Sequence, residues 1–518
     1  MSAEQVADRL LEDLAPLDPV AAETLGRDPE RYMPLVAPED VAARHAAVSR
    51  ALSSLGDDDS VLATVLRERL ASDLALDDAG FTAALLAPLA TPVHAIRAVF
   101  DEVGPERRAD ELALVPQALR DYADTLRTAP RVVAARQVLG AAEQCEKWVD
   151  PARDDFYSRL VAEQPELEGL AEAASQATRD FAAFLRTELL ARAPREDAVG
   201  AELYEVTSSA FLGERIDLRE TYAFGWSELD GITSEMVEAA RELGADTIEE
   251  AAAALDADPA RVLPNDRLAG WLQQRIDETV EAVDGVHVDL PAQARRPIAA
   301  LSPTAVGTMS YAPPDPRFTR PGRVWWAPAA DGRVSTWHEA TTVHHEGVPG
   351  HHLQIAVALA EPGLHPYQRS MVHVHGHAEG WAHYSERLAD EFGLLRDPGE
   401  RLGMLFGQRW RAARIVIDMG LHLGFPMRDG SPWTVEGAVA FLQRMAGCDA
   451  TTARFEVDRY LGWPGQALAF RVGARLWRRL RETAERRPGF DARRFHMRAL
   501  RLGPMGLGPL KEVLGREL

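Results

Sequence analysis

The feature that most constrains this chain is His345-Glu346-Gly347-Val348-Pro349-Gly350-His351-His352, followed by the apolar run Leu353 to Ala360. Two histidines four apart on a helix share one face and can grip one metal ion, with an intervening Glu turned toward a bound water. Here the second histidine arrives two residues late. On an unbroken helix a six-residue step turns the chain through roughly 600° and misaligns His345 with His351; a seven-residue step aligns His352 but sets it about 10 Å further along the axis. Neither pair can chelate from a straight helix. The motif therefore predicts a helix broken at Pro349-Gly350, where Pro cannot donate to the ladder and Gly relieves the strain. With those residues looped out, His351 takes the place of the second ligand, and His352 stands beside it as the competitor.

A third ligand is expected on a neighbouring element. Downstream runs His375-Gly376-His377-Ala378-Glu379-Gly380-Trp381-Ala382-His383-Tyr384-Ser385-Glu386. Glu379 shares a helical face with His383, four residues on, and with Glu386, seven on. The interval from His351 to Glu379 fits a helix, a turn and a returning helix. His344, His373, His375, His377 and His383 are too many for one ion, and most are expected to be hydrogen-bond partners or surface residues.

These residues resemble a known family. His-Glu-x-x-Pro-Gly-His-His-Leu-Gln, then Glu-Gly-Trp-Ala-x-Tyr-x-Glu, is similar to the bacterial family catalogued as domain of unknown function 885, which belongs with the gluzincin metallopeptidases. Further marks fall at Arg459-Tyr460 and at Pro464-Gly465-Gln466-Ala467-Leu468-Ala469-Phe470, and more loosely at Leu14-Ala15-Pro16-Leu17-Asp18-Pro19. The resemblance implies His345, His351 and Glu379 as ligands of one Zn2+, Glu346 as general base, and a mostly helical peptidase-like fold. It says little about what is cut.

The rest of the chain is consistent with that frame. Residues 3 to about 290 read as successive helices, for instance 41–55, 61–76, 116–128 and 165–190, with breaks at Asp57-Asp58-Asp59, Ala129-Pro130, Ala193-Pro194 and Asp256-Ala257-Asp258-Pro259. From about 290 to 338 prolines interrupt the pattern, while Met309-Ser310-Tyr311 and Arg323-Val324-Trp325-Trp326 suit short strands. Helices resume at 398–423, 435–445, 451–461, 466–486 and 492–500. The expected fold is mainly α: a large, two-lobed, metallopeptidase-like helical fold with a small edge sheet next to the active-site cleft. Residues 1–290 would form an N-terminal lobe and 291–518 the catalytic one. An edge strand at Met309 to Tyr311 could take a substrate backbone by strand addition, which makes Tyr311 a substrate-binding candidate.

Charge and cysteine content narrow the partners. A net charge of −23 argues against nucleic acid or an anionic membrane and leaves a small peptide or peptide-like substrate, with a homodimer left open. Two cysteines, no basic leader and no apolar run near ~18 residues point to the cytoplasm. Tyr460 and His422 are candidates for stabilising an oxyanion. Arg414 and Arg459 are candidates for holding a substrate carboxylate, as in a carboxypeptidase or dipeptidase, unless Asp418 or Asp458 ties them up. Glu386, like His383 or His352, is expected to orient a ligand or to replace one. The reading is thus a zinc-dependent hydrolase of peptide-like amides in which Glu346 activates water. One alternative is a tailoring hydrolase acting on an amide or ester of a small biosynthetic intermediate; another is a helical binding protein with a structural metal or none.

Overall fold

The computed structural model describes residues 1–88, 91–153, 155–301, 309–329 and 332–517. The fold is mainly α, with two small sheets among the described residues. Two compact units emerge, each discontinuous in sequence: Met1–Ala210 with Gly420–Val439 and Ala450–Gly465, and Phe211–Met419 with Ala440–Asp449 and Gln466–Leu518. The sequence reading drew one cut near residue 290. Among the described residues no helix is long and apolar enough to cross a membrane.

The first unit is built from helices whose starts are written in the sequence. Ser60 caps Val61–Asp78 by accepting from the Ala63 N–H, and Pro38 opens Pro38–Ser54. Apolar faces from Pro92–Glu102, Arg108–Thr128, Ala135–Trp148 and Glu168–Phe184 enclose a core in which Tyr122 stacks on Phe181 with ring centroids 5.3 Å apart. The helix expected to start at Pro116 starts eight residues earlier, at Arg108, and runs through the proline. One missing N–H is outweighed there by burial of Leu112, Val115 and Leu119. Near its start the buried Glu111 carboxylate accepts from the Tyr32 and Met33 N–H groups, each at 2.8 Å.

The second unit holds the motif. Strands β1 (Val262–Pro264), β2 (Ile298–Leu301), β3 (Ser310–Ala312), β4 (Arg323–Trp326) and β5 (Arg333–Ser335) form an antiparallel β1-β5 pair and a sheet of order β2-β4-β3. β2 runs parallel to β4 and β3 antiparallel to it, so β3 is an edge. Val324 and Trp326 of β4 pack with Val334 of β5, Leu268, Leu272 and Ile276 of the helix Asn265–Val283, and Val343 of the motif. The sheets are thereby fixed to the helix that enters the site.

Candidate metal centre

The helix Thr336–Glu346 stops at the motif Glu, and a second helix, His351–Ala360, begins at the delayed histidine. The four residues between leave the ladder: the Gly350 N–H reaches back to His344 O at 3.0 Å, and the His352 N–H donates to Gly347 O at 3.1 Å. Two side chains pin this loop. Trp381 donates its indole N–H to Pro349 O (2.9 Å) and Gly350 O (3.2 Å), and His344 Nδ1 lies 3.3 Å from Val348 O. Trp381 sits two residues after Glu379 on the helix His375–Glu391, so the element bearing the carboxylate also sets the loop that presents His351. That helix is itself held close to Ala469–Glu485: a Cβ at Gly380 would stand 2.6 Å from the Gly473 Cα, and one at Gly473 would stand 2.1 Å from Gly376 O.

The result brings His345, His351 and Glu379 together, one ligand atom of each within 4.8 Å of the others. His345 Nε2 is 3.4 Å and His351 Nε2 3.5 Å from the same oxygen, Glu379 Oε2, and the two imidazoles meet edge to face with centroids 5.0 Å apart. His345 Nδ1 donates to Glu386 Oε1 at 2.8 Å, leaving Nε2 to face the group. Two imidazole nitrogens and a carboxylate oxygen are a donor set that suits Zn2+. Burial alone would push the His345 imidazole down; hydrogen bonds to Glu379 and Glu386, with the charges of Glu386 and Glu346, drive it up to about 10. Burial likewise opposes ionisation of Glu379, yet the two imidazoles hold it well below the usual carboxylate range.

His352 points elsewhere. Its Nε2 donates to Ala294 O at 2.6 Å, so Nδ1 accepts the Tyr311 hydroxyl hydrogen at 2.7 Å, and burial lowers its pKa to about 4. Gly322 makes room for that pair, since a Cβ would lie 2.4 Å from Tyr311 Oη. Edge strand β3 thus adjoins the second motif helix through Tyr311, whose hydroxyl is committed to His352. His377 faces Gln354 across 3.1 Å.

Glu346 ends the first motif helix, 9% exposed and one residue past His345. Phe470 stacks over His345 at 6.0 Å, and the guanidiniums of Arg414 and Arg411 lie 4.6 and 5.4 Å from the Phe470 centroid. Phe470 is thus the shared neighbour of His345 and Arg414. Tyr460, Arg459 and His422 belong to the first unit. There Arg459 forks onto Glu456 at 3.1 and 2.8 Å, the Tyr460 hydroxyl donates to Glu456 at 2.7 Å, and Asp458 pairs with Arg136 at 3.5 Å. His422 Nδ1 accepts from the Val199 N–H (3.4 Å) and Nε2 donates to Tyr460 O (3.1 Å), the pattern of a histidine bracing backbone.

Sequence reasoning missed Gln408 and Arg471, which stand behind Glu386, and gave Trp381 no role. Only Trp381 carries a signal, its place inside the Glu-Gly-Trp motif. A groove of about 590 Å³ opens nearby, lined by paired Arg and Glu side chains such as Arg387, Glu235, Arg475 and Arg481, with His383 and Arg471 in its wall.

No curated protein matches the chain. Its fold is similar to two solved structures. One is described as a "putative lipoprotein" from Colwellia psychrerythraea (20% identity, TM-score 0.84, covering 100% of this chain and 99% of that one). The other, from Shewanella oneidensis, is described in the same words and as of unknown function (17% identity, TM-score 0.74, covering 99% and 100%). The sequence profile of a family of bacterial proteins of unknown function, DUF885, matches residues 19–514, and the chain belongs to that family.

Proposed function

We propose that the chain is a zinc-dependent hydrolase of peptide or peptide-like amide bonds, of gluzincin type. The observation that carries this reading is the meeting of His345 Nε2, His351 Nε2 and a Glu379 oxygen, with Glu346 next in the chain and its charge acting on His345. Three protein ligands with an adjacent Glu suit a catalytic site; a structural zinc takes four. When bound, zinc supplies Lewis acidity, polarising a carbonyl and acidifying water. The protein does the rest. Glu346 follows His345 by one residue, about 100° around the helix, and takes the proton of the attacking water before passing it to the leaving amine. Glu379 and His351 would hold the ion together with His345, and Glu386 holds the His345 ring in the tautomer whose Nε2 faces inward. Dipeptides and N-acyl amino acids are the substrates we test first, with Arg414 the candidate for meeting a free carboxylate.

The test is a panel of dipeptides and acyl amino acids, with and without chelator, on wild-type protein and Glu346→Gln. The reading expects chelator-sensitive hydrolysis and a variant that holds zinc without turnover. Zinc bound with silence across the panel would contradict it. The cytoplasm is the compartment we propose, on cysteine usage; cell fractionation checks it.

A further inference from the structure

Behind His345 lies a buried polar chain. Gln408, on the helix Pro398–Leu423, is fully buried. Its Oε1 accepts from Arg471 Nη1, which fixes the orientation of the amide. The two hydrogens on Nε2 then go to Glu386 Oε2 at 2.6 Å and to His383 O at 3.1 Å. His383 lines the same chain: its Nε2 lies 3.4 Å from Arg471 Nη1, and its Nδ1 lies 3.3 Å from Glu386 Oε1 and 3.2 Å from Gln408 Nε2. Glu386 therefore receives hydrogen bonds from His345 and Gln408, with the His383 ring beside it. At the outer end Arg471 Nη2 donates to Glu228. The chain runs Glu228, Arg471, Gln408, Glu386, His345, alternating donor and acceptor throughout.

We propose that Gln408 and Arg471 are positioning residues for a metal ion held at His345, acting through Glu386; this rests on the zinc reading above. An amide is the side-chain group that can offer a donor to a carboxylate and an acceptor to a guanidinium at the same time without adding charge. Gln408 thereby clamps Glu386 in the one rotamer that meets His345 Nδ1, and Arg471 keeps the amide from turning over. Loss of an outer partner of this kind typically weakens metal binding by about 10–100-fold.

The experiment measures zinc affinity by competition with a chromophoric chelator, and the visible spectrum of the cobalt-substituted protein, for wild type, Gln408→Met and Gln408→Glu. Metal-free melting curves serve as the folding control. Gln408→Met removes the amide's hydrogen bonds at similar volume and should bind zinc about 10–100-fold more weakly, with an altered cobalt spectrum. Gln408→Glu, which sets a second carboxylate against Glu386, should bind more weakly still. Should Gln408→Met fail to fold, Gln408→Glu is judged by the same ratio. Wild-type affinity and an unchanged spectrum in the variants overturn this inference alone; a wild-type protein that holds no zinc overturns the zinc reading with it.

Discussion

Position 350 has no room for a side chain: a Cβ there would stand 1.9 Å from His345 O and 2.5 Å from His344 O. Gly350→Ala must push the second motif helix away from the first, carrying His351 with it. We expect a loss of about 1–3 kcal/mol in a urea titration, typical of overpacking, and weaker zinc binding in chelator competition. Glu346→Gln is the opposite kind of change, expected to keep zinc and cost about 10²–10⁴ in kcat. A third expectation concerns pH. With its pKa raised to about 10, His345 carries a proton at neutral pH that a metal ion must expel. Zinc affinity should therefore rise with pH, by roughly tenfold per unit for one proton released, and calorimetry in buffers of different ionisation enthalpy should register that proton. The three residues that converge were legible because a broken HExxH spacing leaves few solutions, and Pro349-Gly350 marks where the break falls. Gln408 and Arg471 were not. A lone Gln on an apolar helical face has no spacing signature, and its partners lie 22 and 63 residues away in the chain.

Among elements, the first motif helix and its sheet form a second pH-sensitive joint. Trp326 of β4 donates its indole N–H to Glu339 at 2.8 Å, and burial raises that carboxyl to about 7 despite the bond. The folded state thus holds this proton more tightly than the unfolded chain, whose carboxyl titrates at 4.5. Stability from this group is present below pH 4.5 and is lost as pH rises through 7, by about 3 kcal/mol at most. Glu339→Gln keeps an acceptor for Trp326 and should be more stable than wild type at pH 8, a difference that disappears at pH 4; urea midpoints across that range decide it. Elements with long periodic faces were legible: Pro398–Leu423 and Ala492–Leu500 have the bounds their pattern implies. β1 and β5, three residues each, are too short to alternate, and their pairing depends on residues more than sixty apart.

For the whole molecule, helical periodicity settled the fold class, whereas the division into units did not follow from composition. The first unit recovers 420–439 and 450–465 from late in the chain, and no local shift in residue usage announces that return. A chain with a preformed three-ligand site should gain stability from the ion by mass action, about 4 kcal/mol when free zinc is a thousandfold above Kd, seen as a concentration-dependent rise in Tm. The most direct measurement is metal content after dialysis against trace zinc, for wild type beside His345→Ala, His351→Ala and Glu379→Gln. The account predicts one zinc per wild-type chain and essentially none in each variant that still folds. A zinc-free wild type, or zinc retained undiminished when these ligands are removed, would contradict it.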